Sequence, residues 1–247
     1  MRRLLTVAVL GAVLFVLIYV NQQVQSWHYV VSGGPGQLLY LTAFDDGAVA
    51  DWQQYEGRVS AQRVDGRLQI SNGVSDNVAF SIADPYFADF DLRVEAQAVS
   101  GPLDNGYGVI FRYHDPENFY LFLTSSDGYY QVARVLNGMQ RELSAWVDSP
   151  QVTQGLNAPN YLRVVARGDE FAFYVNNERV SLCIPSDPEA ISTYRTGLGC
   201  IGGTMEDTLV DGSLGAGQVG VVAMSLGEPD VEAAFDNLII YSPEIVE

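Results

Sequence analysis

Short apolar runs separated by turn-forming pairs constrain this chain more than any other feature. RVSAQRV and RLQISN flank Asp65-Gly66, and YLRVVAR and EFAFYV flank Gly168-Asp169. Such pairs between such runs mark hairpins, because Gly, Asp and Asn accept the positive φ that tight hairpin turns require. FDLRVEAQAV, GYGVIFRY, FYLFLTSS, YYQVARVLN, QVGVVAMS and AAFDNLIIYS carry the same rhythm to residue 242. The pattern predicts an all-β chain folded as an antiparallel β-sandwich. Beyond the N-terminus, no stretch keeps a helical period for more than a turn or two.

The N-terminus is different. Met1-Arg2-Arg3 precedes LLTVAVLGAVLFVLIYV, residues 4–20, which carry no charge. As a helix rising about 1.5 Å per residue this run would span about 25 Å, close to a hydrocarbon core of about 30 Å. It reads as a signal anchor: one transmembrane helix over residues 1–20, with the arginines holding the N-terminus in the cytoplasm. The alternative is a signal peptide cleaved near Val24-Gln25-Ser26, which would make the protein secreted. On either reading the C-terminal part is extracytoplasmic. Residues 21–37, with Gly33-Gly34-Pro35-Gly36, read as a stalk linker, and residues 38–247 as the sandwich domain.

Residues 182–214, LCIPSDPEAISTYRTGLGCIGGTMEDTLVDGSL, break the strand rhythm and read as an insertion on one end of the sandwich. Cys183 and Cys200 are the only cysteines, and in an oxidising compartment an even pair is expected to form a disulfide. With both cysteines in a disulfide, no Cys/His zinc cluster remains to be built. The net charge is −17, with 30 acidic residues against 13 basic ones, all of them arginine. That balance repels phosphate backbones and excludes nucleic acid as a natural partner.

HDPEN, residues 114–118, sets His114 beside two carboxylates. Pro and Asn there are turn residues, and a solvated turn lacks the burial that raises a carboxyl into an acid's range. It reads as a hairpin turn. Arg112, Tyr120, Tyr130, Arg134 and Trp146 form the candidate ligand-binding set, because aromatic faces and arginine donors suit sugars. The same residues could fill a sandwich core, since the register that sorts them between faces is not in the sequence.

FDD followed by Trp52, FDLRVEA, NGYGVIFRY, ENFYLF, YLRVVARGDEFAFYVNNERV and AAFDNLIIY come in an order that resembles a concanavalin A-like jelly roll. Over residues 40–245, apart from the insertion, the chain is similar to laminin-G-like domains related to family 16 glycoside hydrolases. The resemblance implies two antiparallel sheets and a concave face that binds glycans in many members. It also implies a test for catalysis, a Glu-X-Asp-X-(X)-Glu strand. The formal match, Glu228-Pro229-Asp230-Val231-Glu232, contains a proline and lies beside the last strand, so no catalytic residue is assigned. Structural Ca²⁺ is implied at Asp45 or Asp46 together with Asp236. The expected function is a membrane-anchored, non-catalytic module that binds glycan or an envelope partner protein. A glycoside hydrolase with displaced carboxylates and a structural accessory subunit of a membrane complex are the alternatives.

Overall fold

The computed structural model describes residues 29–45, 50–187 and 189–244. The expected membrane segment 1–20, the first half of the expected stalk and Asp46 lie outside the described residues.

Within them the chain runs β1 (Val30–Val31), β2 (Leu38–Thr42), β3 (Val59–Val64), β4 (Arg67–Asn72), β5 (Val78–Phe87), β6 (Phe90–Ser100) and β7 (Asn105–Asp115). It continues through β8 (Asn118–Thr124), β9 (Tyr129–Leu136), β10 (Met139–Asp148), β11 (Asn160–Arg167), β12 (Glu170–Val175) and β13 (Glu178–Arg179). The insertion supplies β14 (Leu182–Pro185), β15 (Thr193–Arg195), β16 (Gly199–Ile201), β17 (Gly203–Glu206) and β18 (Leu209–Val210). The closing strands are β19 (Gly217–Ser225) and β20 (Val231–Tyr241).

These strands build a sandwich. One sheet has seven strands in the order β1-β5-β19-β7-β8-β9-β10. The other runs β13-β12-β11-β6-β20-β4-β3, with β18 beside β12 and β2 beside β20. β1 pairs with β5 in parallel through Val30 and Val31, so the second half of the expected stalk is part of the domain. Its pairing leaves less chain free as a linker than the glycine content suggests.

Turn chemistry sets the hairpins. Asp65 and Gly66 have φ of 50° and 76°, and Asn137 and Gly138 have 52° and 75°. Both pairs fit the primed turn whose twist matches that of the flanking strands. Pro85 lies inside β5 without breaking it, because it falls where the register between β5 and β19 shifts. A residue with no N–H is tolerated at such an irregularity.

The core between the sheets centres on Phe111, which stacks on Tyr120 with ring centroids 5.2 Å apart and packs on Phe90, Phe171 and Phe173. The two outer faces differ in kind. On the larger sheet, polar side chains alternate outward. Asp91 there accepts bonds from Arg93 and Arg163, and Glu232 accepts from the Ser71 and Ser100 hydroxyls. The outer face of the seven-stranded sheet is apolar instead: Ile82, Ile110, Leu121, Leu123 and Val222 share a second cluster, all with no exposed surface. On β8, every residue from Phe119 to Thr124 is buried.

Cys183 and Cys200 form a disulfide, as expected from their number. The insertion packs against β10, and Leu182, Cys183, Leu209 and Leu214 join the main core. It is thus an extension of the core along one sheet edge as well as a cover at the end of the sandwich. Paired replacement of both cysteines by serine is expected to lower stability by about 3 kcal/mol, the closure entropy of a loop of this length. Urea unfolding followed by tryptophan fluorescence measures it; a midpoint unchanged from the parent would show that the insertion holds without its staple.

Candidate functional site

The turn at residues 114–118 is structural. Asp115 pairs with Asn118 at the end of the β7–β8 hairpin, and its carboxylate accepts from the Glu117 N–H at 2.8 Å and the Asn118 amide at 2.9 Å. His114 is exposed, its Nε2 lying 2.9 Å from the Ala216 carbonyl. The polar atoms of this motif close a turn.

The formal catalytic match is also dispersed. Asp230 has φ of 65° in the bend before β20, and Glu232 lies on the outer face of the larger sheet with Ser71 and Ser100. A glycosidase needs two carboxyls about 5–5.5 Å or 6.5–9.5 Å apart across one cleft. Of Glu228, Asp230 and Glu232, only Glu232 lies on a strand, so the three do not form the one-strand motif.

Three of the five candidate ligand residues do come together, but they hold the insertion. Arg112 is buried, with φ of 49° at a register shift in β7. Its guanidinium donates to the carbonyls of Leu214 at 2.8 Å, Ala88 and Gly168, and lies 4.7 Å over the Phe171 ring. Burial lowers its pKa. Tyr120 donates to Asp211 at 2.8 Å, and burial followed by that bond pushes its hydroxyl up to about 12. Arg134 donates to the other Asp211 oxygen at 2.6 Å and to Ser213. Burial works against the Asp211 carboxylate, yet the Ser213 donors, Tyr120 and Arg134 outweigh it and hold its pKa below the usual range. These groups clamp residues 211–214, the return arm of the insertion, while the Nε atoms of Arg112 and Arg134 are buried without a partner. Tyr130 is likewise internal: its hydroxyl donates to Ser181 at 2.6 Å, and burial raises its pKa.

Trp146 differs. With Asp104, Ser125, Asp127, Tyr129 and Leu226 it lines an open pocket of about 170 Å³. Alternation places Tyr129 and Trp146 on the same side of neighbouring strands, because Asp148 opposes Tyr129 and Val147 opposes Tyr130. Ser125 donates to Asp127, which fixes that carboxylate in the β8–β9 turn. Asp104 is exposed, and its pKa is raised by partial desolvation and then by the negative charges of Asp127 and Glu228. Two half-exposed aromatic rings beside carboxylate and hydroxyl acceptors can stack a sugar ring and accept from its hydroxyls. Of these residues the sequence pointed only to Trp146. The Asn137-Gly138 hairpin signal between β9 and β10 was the clue that would have put Tyr129 with it.

Of the calcium set, Asp45 and Asp236 are described and Asp46 lies outside the described residues. Asp236 accepts from the Asn237 N–H at 2.7 Å and lies 3.9 Å from the Arg67 guanidinium. Its carboxyl is raised by burial, with Glu95 and Asp45 adding to the effect. Calcium takes 6–8 oxygen ligands. No group of three His, Cys, Asp or Glu side chains gathers for a metal among the described residues.

No family model matches the chain, and no curated protein matches it. Solved structures do. The carbohydrate binding module CBM66 from Bacillus subtilis superposes with a TM-score of 0.53 at 18% identity, over 78% of this chain and 96% of its own. A protein of unknown function with a galectin-like fold, also from Bacillus subtilis, gives 0.57 at 12% identity, over 85% and 97%. The β-glucanase of Bacillus licheniformis gives 0.50 at 11% identity, over 85% and 99%. At these identities the likeness is one of architecture. Together with the strand order described above, it makes this chain a concanavalin A-like jelly roll.

Proposed function

We propose that this protein is a non-catalytic, extracytoplasmic glycan-binding module, and that the pocket of Trp146 and Tyr129 holds the sugar. The observation that carries the reading is the pairing of these two partly exposed rings with Asp104, Asp127 and Ser125 around one opening. A carbohydrate binding module of the same fold supports the class of ligand. The disulfide supports an oxidising compartment. The net charge of −17 favours neutral polysaccharide over uronic-acid polymers, which the surface would repel.

Thr196 of the insertion donates to Asp148 at 2.8 Å, next to the pocket on β10, so the insertion is within reach of a bound chain longer than one sugar. A single observation favours hydrolysis as a second reading: the raised carboxyl of Asp104 beside Asp127. Both are surface groups, and the release of reducing ends from the bound polysaccharide decides between the readings. Affinity electrophoresis of the full chain through neutral polysaccharides tests the proposal. Retardation is expected for at least one, and Trp146→Ala is expected to weaken it about tenfold or more, ~1.4 kcal/mol, with an unchanged melting temperature. Equal retardation of the two proteins, or none on any neutral glycan, would remove this pocket as the site.

A further inference from the structure

β9 and β10 set two arginines, Arg134 and Arg141, directly opposite each other. Like charges in that relation repel, and the pair costs stability unless an anion offsets it. The carboxylate beside them is Asp211, and its oxygens are already engaged. Oδ1 accepts from the Tyr120 hydroxyl and the Ser213 N–H, and Oδ2 accepts from Arg134 Nη1. Glu142 does not compensate. It opposes Ala133, which belongs to the cluster on the outer face of the sheet, so alternation turns it away from the arginines. Arg141 lies 3.5 Å from Glu189, but that carboxylate is 89% exposed and water screens the pair.

The donors left over meet at one cavity. Arg134, Arg141 and Asp211 line an opening of about 190 Å³ at the seam between β10 and the insertion. Both hydrogen bonds of Arg134 run through Nη1, to Asp211 and Ser213, and its Nε is buried with no partner. An unmet donor on a charged group is costly, and native proteins satisfy such donors with a protein group, a water or a ligand. Arg112 keeps an unpartnered Nε too, but its guanidinium lies over the Phe171 ring and does not line this cavity. Apolar walls complete the opening: Leu143 of β10, Ile184 and Pro185 of β14, and Leu209 and Val210 of β18. Neither Trp146 nor Tyr129 borders it, so it stands or falls apart from the glycan pocket.

We propose that this cavity binds a small aliphatic monocarboxylate, its two oxygens held by Arg134 and Arg141 and its hydrocarbon part lying against Ile184, Pro185 and Val210. Charge, polarity and size each select for it. A carboxylate supplies both the acceptors and the negative charge that two guanidinium groups beside one engaged carboxylate lack. The apolar side chains of the walls suit a hydrocarbon body and leave the hydroxyls of a sugar acid without partners. The net charge of −17 repels a polyanion far more than a ligand with a single charge. The volume falls below the roughly 300–1,000 Å³ of pockets that take drug-sized molecules, so the ligand is small. A free short-chain acid and the C-terminal residue of a peptide share this chemistry.

Isothermal titration of the full chain with isovalerate, N-acetyl-leucine, the neutral N-acetyl-leucinamide and glucuronate tests the site. Saturable binding of isovalerate or N-acetyl-leucine is expected, about tenfold or more tighter than that of the amide. The tighter of the two acids names the source, a peptide end for N-acetyl-leucine and a free acid for isovalerate. Arg134 also holds Asp211, so Arg134→Gln confounds binding with folding and Arg141→Gln is the informative variant. It is expected to weaken the acid about tenfold. Val210→Trp, which narrows the cavity and keeps both arginines, is expected to weaken it as well. Four results would overturn the proposal: no binding of either aliphatic acid, equal binding of acid and amide, parent-like affinity in Arg141→Gln, or glucuronate bound more tightly than both acids.

Discussion

Replacing Asp211 with alanine is expected to destabilise the domain by about 3 kcal/mol, because it leaves the Arg134 guanidinium and the Tyr120 hydroxyl without their shared acceptor. The Arg134 side chain is 16% exposed and that of Asp211 10%, so water can replace little of what is lost. The damage should start in the insertion. Residues 211–214 hang on Arg112, Tyr120 and Arg134, and hydrogen exchange there should rise before it rises in the central strands. The effect also depends on pH. The folded-state pKa of Asp211 is depressed, so its contribution is present above the unfolded value of about 3.9 and is lost as pH falls through the folded value. Chemical unfolding at pH 7 and in steps below pH 4 should show the gap between parent and Asp211→Ala closing in acid. A constant gap would mean that the cost is one of packing and not of charge.

Phe111→Ala is expected to cost more, about 3–5 kcal/mol, as a large aromatic deletion in a packed core. Phe111 touches Phe90 of β6, Tyr120 of β8, and Phe171 and Phe173 of β12, so its ring joins the two sheets at one point. Tyr120 loses its stacking partner in the same change, which loosens the hydroxyl that holds Asp211. Calorimetry should show a melting temperature lowered by several degrees or more. A drop of less than 1 kcal/mol would mean that neighbouring rings collapse into the space, and the cluster would be plastic.

The strands were legible where alternation and turn chemistry agreed. RVSAQRV and RLQISN about Asp65-Gly66 are β3 and β4, and the runs ending in AAFDNLIIYS include β20. β5 and β10 were not. Pro85 hides β5, because a proline inside an apolar run argues against a strand until the register shift beside it is known. β10, MQRELSAWVD, is an edge strand whose solvated side chains dilute the apolar signal. The candidate site was legible in residue type but not in direction. Arg112, Tyr120 and Arg134 meet at the return arm of the insertion, and what each does depends on the face it takes. In β7 a register shift between Phe111 and Asp115 turns Arg112 inward, and no sequence period announces it. Trp146 faces out because a register shift separates it from Ser144, again a feature of pairing and not of composition.

The places of β19 and β20 bear on when this protein can fold. β19 lies between β5 and β7, and β20 lies between β6 and β4, so the last strands to be synthesised are the middle of both sheets. Until residue 225 has emerged the seven-stranded sheet has no continuous ladder, and until residue 241 the other has none, so the earlier strands offer unpaired edges on both sides of each gap. Contacts of such sequence separation make folding slow and leave the nascent chain open to mispairing.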